Sequence, residues 1–358
     1  MAKTIFFDAR YIRVDHHDGI SRFSAGLASA LAAKAKVIAL INDPRQLASL
    51  PTGIDFRVIH APTSAFEPFT ALKLNRLGAE IVFSPMQTIG SFGRKFKLVL
   101  TLHDLIYYRH PTPPPSMSLP VRIGWRIFHF SYVPQRRLLN AADAVATVSQ
   151  TTADLIAEHR LTKRPVKVVY NAAGSHALDG TQRTLPVGEK NLVYMGSFMG
   201  YKNVETLIRG LALLPDHKLH LLSRITPKRR AELSKLAGES ADRVVFHNGV
   251  RDEEYSDLLA NAFALVSASF DEGFGIPLAE AMSHGTPVVV SDMPIFHEIA
   301  GGAGTYFTAA DAEGFAASIR AIETGTEWLA KSRAGLAQVQ RFNWDKSADA
   351  LLELLEQI

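Results

Sequence analysis

Short, nearly continuous apolar runs recur along this chain at spacings that leave room for a helix between them, and nothing else in it constrains the fold as strongly. Thr4–Phe7, Val37–Ile41, Ile81–Phe83, Leu98–Leu102 and Ala144–Val148 lack the alternation of a strand wet on one side, so they read as strands buried on both faces. Helical patterns lie between several of them, as in a parallel sheet covered by helices. A second series follows at Asn191–Met195, Leu219–Leu222, Val244–Phe246, Phe263–Val266 and Pro287–Val290. Between the two series, Asn171–Glu189 is rich in Ala, Gly, Ser, Thr and Pro and has no periodicity, which marks a linker. A length of 358 residues also exceeds one ordinary core. The expected organisation is α/β throughout, with one domain over 1–175, a second over 176–342, and a last helix at Asp345–Glu356 after Phe342-Asn343-Trp344.

Composition narrows the chemistry. The absence of cysteine excludes disulfides, thiolate metal sites and cysteine nucleophiles. No window is apolar for long enough to span a bilayer, and Met1–Asp8 reaches a charge too soon for a signal peptide, so a cytoplasmic location is expected. The net charge of +4 suits phosphorylated ligands or an anionic membrane surface, and nothing calls for nucleic acid. Asp15-His16-His17-Asp18 reads as a solvated loop, because consecutive ligands seldom converge on one ion. No Asp-x-Asp occurs, and Asp252-Glu253-Glu254 reads as the first turn of a helix. No metal and no cofactor are expected.

The densest motif is Asp271-Glu272-Gly273-Phe274-Gly275-Ile276-Pro277-Leu278-Ala279-Glu280. Gly273 and Gly275 let backbone approach a ligand, and Pro277 suits a first helical turn. The free amides and positive end of that helix favour a phosphate. Glu280, one turn further in, would repel a diphosphate on the helix axis and is better placed to accept hydrogen bonds from ribose hydroxyls. With the following Pro287-Val288-Val289-Val290-Ser291-Asp292, this segment resembles the signature of the retaining family-4 glycosyltransferases, in which two glutamates separated by seven residues flank a Gly-Phe-Gly turn. The resemblance implies the GT-B fold, two Rossmann-like doubly wound domains facing across a cleft, with the C-terminal helix 343–358 crossing back onto the first domain.

It also implies roles for further residues. Tyr194–Asn203 is similar to the family's glycine-to-lysine loop, so Lys202 is expected to neutralise the diphosphate as charge develops on it. Many relatives carry an arginine in that loop, where this chain has Ser197 and Tyr201; Arg224 is the candidate replacement, or else a surface arginine. Glu272 is expected on the sugar hydroxyls. Gly19-Ile20, after the first strand, would approach the donor phosphates or the acceptor, or simply turn the chain. His103 would contact the transferred sugar, or be a histidine satisfied by backbone at a strand end; Asp104 points away from it on extended chain and does not orient it. Glu298, in Pro294–Glu298, resembles a segment near the donor, or is a surface helix residue.

Arg122–Phe130 and Arg136-Arg137 interleave basic and aromatic residues. Such a stretch suits an anionic lipid interface, or an amphipathic helix with its aromatics in the core; periodicity does not say which face is wet. The activity implied is retaining transfer of a hexose, mannose from GDP-mannose, to a glycan or lipid-linked acceptor, through front-face departure assisted by the leaving phosphate. Glucosyl or rhamnosyl transfer, a nucleotide-sugar epimerase and a silent carbohydrate-binding relative are the alternatives.

Overall fold

The computed structural model describes residues 4–15, 18–113, 117–173, 183–186 and 188–358. The chain divides into two compact units, Met1–Ala172 with Asn343–Ile358, and Ala173–Phe342. Much of the expected linker, including the 175/176 boundary, lies outside the described residues.

In the first unit, β1 (Ile5–Asp8), β2 (Val37–Ile41), β3 (Asp55–Val58), β4 (Ile81–Ser84), β5 (Lys97–Leu102), β6 (Ala144–Thr147) and β7 (Val166–Val168) form one sheet in the order β3-β2-β1-β4-β5-β6-β7. Every pairing is parallel, with Ile5 opposite both Val37 and Ile81. The five expected strands are the central ones, whose residues are almost all buried. The two not expected are the edges. All four residues of β3, Asp-Phe-Arg-Val, are exposed, and an edge strand wet on one side needs no apolar run.

Helix Gly19–Ala32 buries Phe23, Leu27 and Leu31. Its outer side receives the C-terminal helix Trp344–Glu356: a Cβ on Gly26 would overlap Cε2 of Trp344, so only glycine admits the indole. Ser347 Oγ donates to the Tyr170 carbonyl at 2.7 Å, and Lys167 pairs with Glu353 at 2.7 Å. The last helix therefore packs into the first unit although it follows the second in sequence.

In the second unit, β8 (Lys190–Tyr194), β9 (His217–Leu221), β10 (Val244–Phe246), β11 (Ala264–Ser267), β12 (Val288–Ser291) and β13 (Gly304–Phe307) run parallel in the order β10-β9-β8-β11-β12-β13. Again an edge strand, β13, was not expected. Trp328 is fully buried and satisfies its indole N–H on the Phe263 carbonyl at 2.8 Å. The chain winds outward from β8 to β10, then returns to lay β11 against the other side of β8. Successive loops there leave in opposite directions and open a crevice at the carboxyl ends of β8 and β11, where sheets of this kind bind ligands.

Two histidines of β9 make this unit sensitive to acid. Burial holds the His217 imidazole down at about 4, outweighing the Glu323 carboxylate 3.5 Å away, and burial with the neighbouring His247 holds His220 at about 4. Both are neutral when folded and take up a proton below about pH 6.5 when unfolded. A depressed folded value gives stability that is present above the unfolded value and lost as the pH falls. The second unit should therefore weaken between about pH 6.5 and 4, by on the order of 3 kcal/mol from His217 alone. Melting scans of wild type and His217→Phe check this; identical slopes against pH would exclude His217 as the cause.

Candidate functional site

The loop leaving β8 and the loop leaving β11 are stitched together at the crevice. Asn203, at φ +50°, donates from Nδ2 to the carbonyls of Ala268 at 3.0 Å and Ala309 at 2.6 Å, and Thr206 donates to its Oδ1. The Phe270 amide donates to the Tyr201 carbonyl at 2.8 Å. Lys202 stands between these ties. Its Nζ donates to Glu272 Oε1 at 2.6 Å, and Ser269 Oγ donates to the same oxygen at 2.8 Å. Each of the two charged side chains is 14% exposed, enough to be reached from the crevice and too little to be screened as a surface pair is. Seventy residues of sequence separate them; the sheet brings them together because β8 pairs with β11.

Beyond Glu272 the chain makes the expected glycine turn. Gly275 has φ +89°, and a Cβ there would press the Phe296 ring at 3.1 Å. Phe274 is buried edge-on to Phe342 at 5.5 Å between ring centres, which seats the Gly273–Gly275 turn. Helix Ile276–Ser283 begins at that turn with Pro277 in its first turn and a glycine, Gly275, at its cap position. The positive end of the helix favours an anion. Glu280, 7% exposed, accepts from the Tyr255 hydroxyl at 2.9 Å. On the β8 loop, a Cβ on Gly196 would lie 2.7 Å from the Tyr194 hydroxyl, so this position too is closed to larger residues. Arg224 is exposed on the loop after β9, its stem over Gly249. Glu298 is half-buried on helix Pro294–Ala300.

Sequence reading missed Ser269, Asn203 and Tyr255. Only Asn203 leaves a trace in sequence, since asparagine tolerates the left-handed backbone a sharp helix start requires.

In the first unit, His103 follows β5 and lines a cavity of about 120 Å³ with Ile20, Gln87, Asp104, Tyr107 and His129. Its Nε2 lies 2.7 Å from the Pro85 carbonyl. A carbonyl only accepts, so Nε2 carries the hydrogen and Nδ1 keeps the lone pair in the neutral ring. Burial holds the imidazole below its ordinary value and so keeps it neutral. Asp104 Oδ1 accepts from the Ile106 amide at 3.0 Å. Gly19 is the first residue of its helix, capped by Asp18, whose carboxylate takes the Ser21 amide at 2.9 Å and pairs with Arg13. Of the acidic-histidine loop, His16 and His17 lie outside the described residues; among the described residues no cluster of three or more metal-binding side chains occurs.

Two family models divide most of the chain between them. Residues 17–173 match the one described as Glycosyltransferase Family 4, and residues 189–324 match Glycosyl transferases group 1. The chain belongs to glycosyltransferase family 4. Among its curated relatives are the O-antigen chain mannosyltransferase RfbU of Salmonella typhimurium, 31% identical over 182 residues and 50% of each chain, and O-antigen chain mannosyltransferase B of Escherichia coli, 28% identical over 268 residues, 70% of this chain and 67% of that one. The match with RfbU spans half that relative's length. Among solved structures, sucrose-phosphate synthase from Thermosynechococcus elongatus superposes with a TM-score of 0.73 at 20% identity, over 99% of this chain and 98% of that one. HepE from Anabaena, solved in complex with UDP and glucose, superposes at 0.71 and 18% identity over 100% of both. At such identities the likeness establishes the fold. In this family-4 chain, then, the Glu272–Glu280 segment and the Lys202 loop occupy one crevice of one Rossmann-like unit.

Proposed function

We propose that this chain transfers mannose from GDP-mannose to a glycan or lipid-linked acceptor, with retention of anomeric configuration and without a metal ion. The observation that carries the reading is the Lys202–Glu272 pair beside the positive end of helix Ile276–Ser283. That crevice offers a fixed cation and a helix terminus to a diphosphate, and carboxylates to hydroxyls. In the free protein Lys202 and Glu272 neutralise each other; with donor bound, the ammonium turns to the diphosphate and Glu272 to the sugar. Bond cleavage puts charge on the departing diphosphate, where a preorganised cation is worth most. Glu272 is not the nucleophile in this scheme, since it serves the outer hydroxyls and Ser269. The leaving phosphate takes the acceptor proton. His103, neutral with Nδ1 free of hydrogen, accepts from a sugar hydroxyl. The mannose assignment rests on the likeness to two O-antigen mannosyltransferases. A cytoplasmic location suits a nucleotide-sugar donor and a chain without cysteine.

Product analysis with a panel of nucleotide sugars, reading the anomeric configuration by NMR with and without chelator, tests each part. Exclusive use of another hexose donor removes mannose, an inverted product removes retention, and loss of activity with chelator removes metal independence.

Glu280→Ala should weaken binding of GDP itself by about ten- to a hundredfold, because hydrogen bonds to a charged acceptor are worth roughly 1.5–3 kcal/mol. Tyr255→Phe, which removes one donor and keeps the carboxylate, should cost less. Titration calorimetry with GDP measures both; unchanged affinity in Glu280→Ala would take Glu280 out of the nucleotide site.

A further inference from the structure

Helix Leu119–His129 is built inside out. Trp125 and His129 face the protein, with the Tyr107 ring 5.1 Å and 5.8 Å from theirs and Tyr108 5.0 Å from His129. Leu119, Ile123, Ile127 and the following Phe130, spaced by four, four and three, form a stripe on another side of the helix. They are 69%, 53%, 69% and 90% exposed, and no residue of this helix is buried. Arg122 and Arg126, one turn apart, border the stripe. Along the chain the charge here is of one sign: from Leu105 to Ala142 there are five arginines and no Asp or Glu, while Asp104 and Glu158 act from outside that stretch on His129 and Tyr132. The sequence reading that places the aromatics of this stretch in the core holds for Trp125, which packs on Tyr107, and not for Phe130, which is exposed.

We propose that this face is an interfacial anchor that lies in the surface of an anionic phospholipid bilayer, the stripe at the level of the upper acyl chains and the arginines among the phosphates. An apolar face that wide, exposed and bordered by arginine suits that boundary. A second copy of the chain fits it poorly, because a two-fold contact would set each arginine cluster against its own image. The helix lies on a membrane and does not span one: among the described residues no helix is long and apolar enough to cross. The anchor is independent of the transfer reading, since vesicle binding needs neither donor nor acceptor.

The test is co-sedimentation of the full chain with vesicles of phosphatidylcholine alone and of an equimolar mixture with phosphatidylglycerol. Wild type should favour the anionic vesicles by at least about tenfold, and added salt should reduce the preference. Ile123→Ser/Ile127→Ser/Phe130→Ser should lower partition by at least about tenfold at an unchanged melting temperature, because these side chains are exposed in the free protein. Arg122→Gln/Arg126→Gln should lower binding to anionic vesicles by about fivefold per arginine and leave neutral vesicles unaffected. Wild type remaining in the supernatant, or the triple variant binding as wild type does, would overturn the anchor. So would a wild-type dimer in sedimentation velocity that the triple variant dissolves.

Discussion

Lys202→Ala should lower turnover by at least about a hundredfold, the loss typical when one preorganised charge-stabilising donor is removed. The ammonium lies in a site that is mostly closed to water, paired to Glu272 at 2.6 Å, so its charge is not diluted by solvent. Removing it also leaves Glu272 with a neutral partner, Ser269, and a carboxylate at the place where a diphosphate must enter. Donor affinity should therefore fall together with turnover. If Arg224 shares the diphosphate, Arg224→Ala gives a comparable defect and the double variant less than the product of the two, since both act on one leaving group. Steady-state kinetics on the three variants decides this. Full activity in Lys202→Ala would end the proposed phosphate site.

Glu272→Ala should act in the opposite sense on the nucleotide. Transfer should collapse by about a hundred- to a thousandfold, because contacts to the reacting sugar are lost as its charge develops. Affinity for bare GDP should be kept or should rise, because Lys202, freed from its counter-ion, is left with a positive charge to satisfy. Glu272→Gln keeps a side chain of the same shape within reach of Ser269 and should show the same split in weaker form. Calorimetry with GDP beside transfer assays makes the comparison. A parallel loss of GDP affinity and turnover would mean that the carboxylate serves the fold of the crevice and not the sugar.

How much of this could be read from the chain depended on burial. Central strands such as Val37–Ile41 and Val288–Ser291 are covered on both faces, so their sequences had to be apolar and announce themselves. Asp55–Val58 and Gly304–Phe307 lie at sheet edges, where one side needs little apolar cover, and their sequences carry no comparable signal. The glycine turn at Gly273–Gly275 was legible for a related reason: close approach and positive φ leave few residues to choose from. Tyr255 gave no sign, since a tyrosine hydroxyl finds a buried partner in many settings and Glu280 is twenty-five residues away.

From the sequence alone followed two α/β series, a glutamate-flanked glycine turn, a lysine after the first strand of the second series, and a basic aromatic stretch. These are local matters of residue type and spacing. The tertiary structure alone decided that Lys202 and Glu272 meet, because strand order in a doubly wound sheet is set by crossovers that place β11 beside β8 across an intervening pair of strands. The return of the last helix to the first unit was implied by the family resemblance, and the tertiary structure supplied its physical basis, Gly26 making room for Trp344. The tertiary structure alone decided which side of helix Leu119–His129 is wet, because a helix repeat shows which residues share a side and the neighbours of Trp125 and His129 determine which side is turned inward.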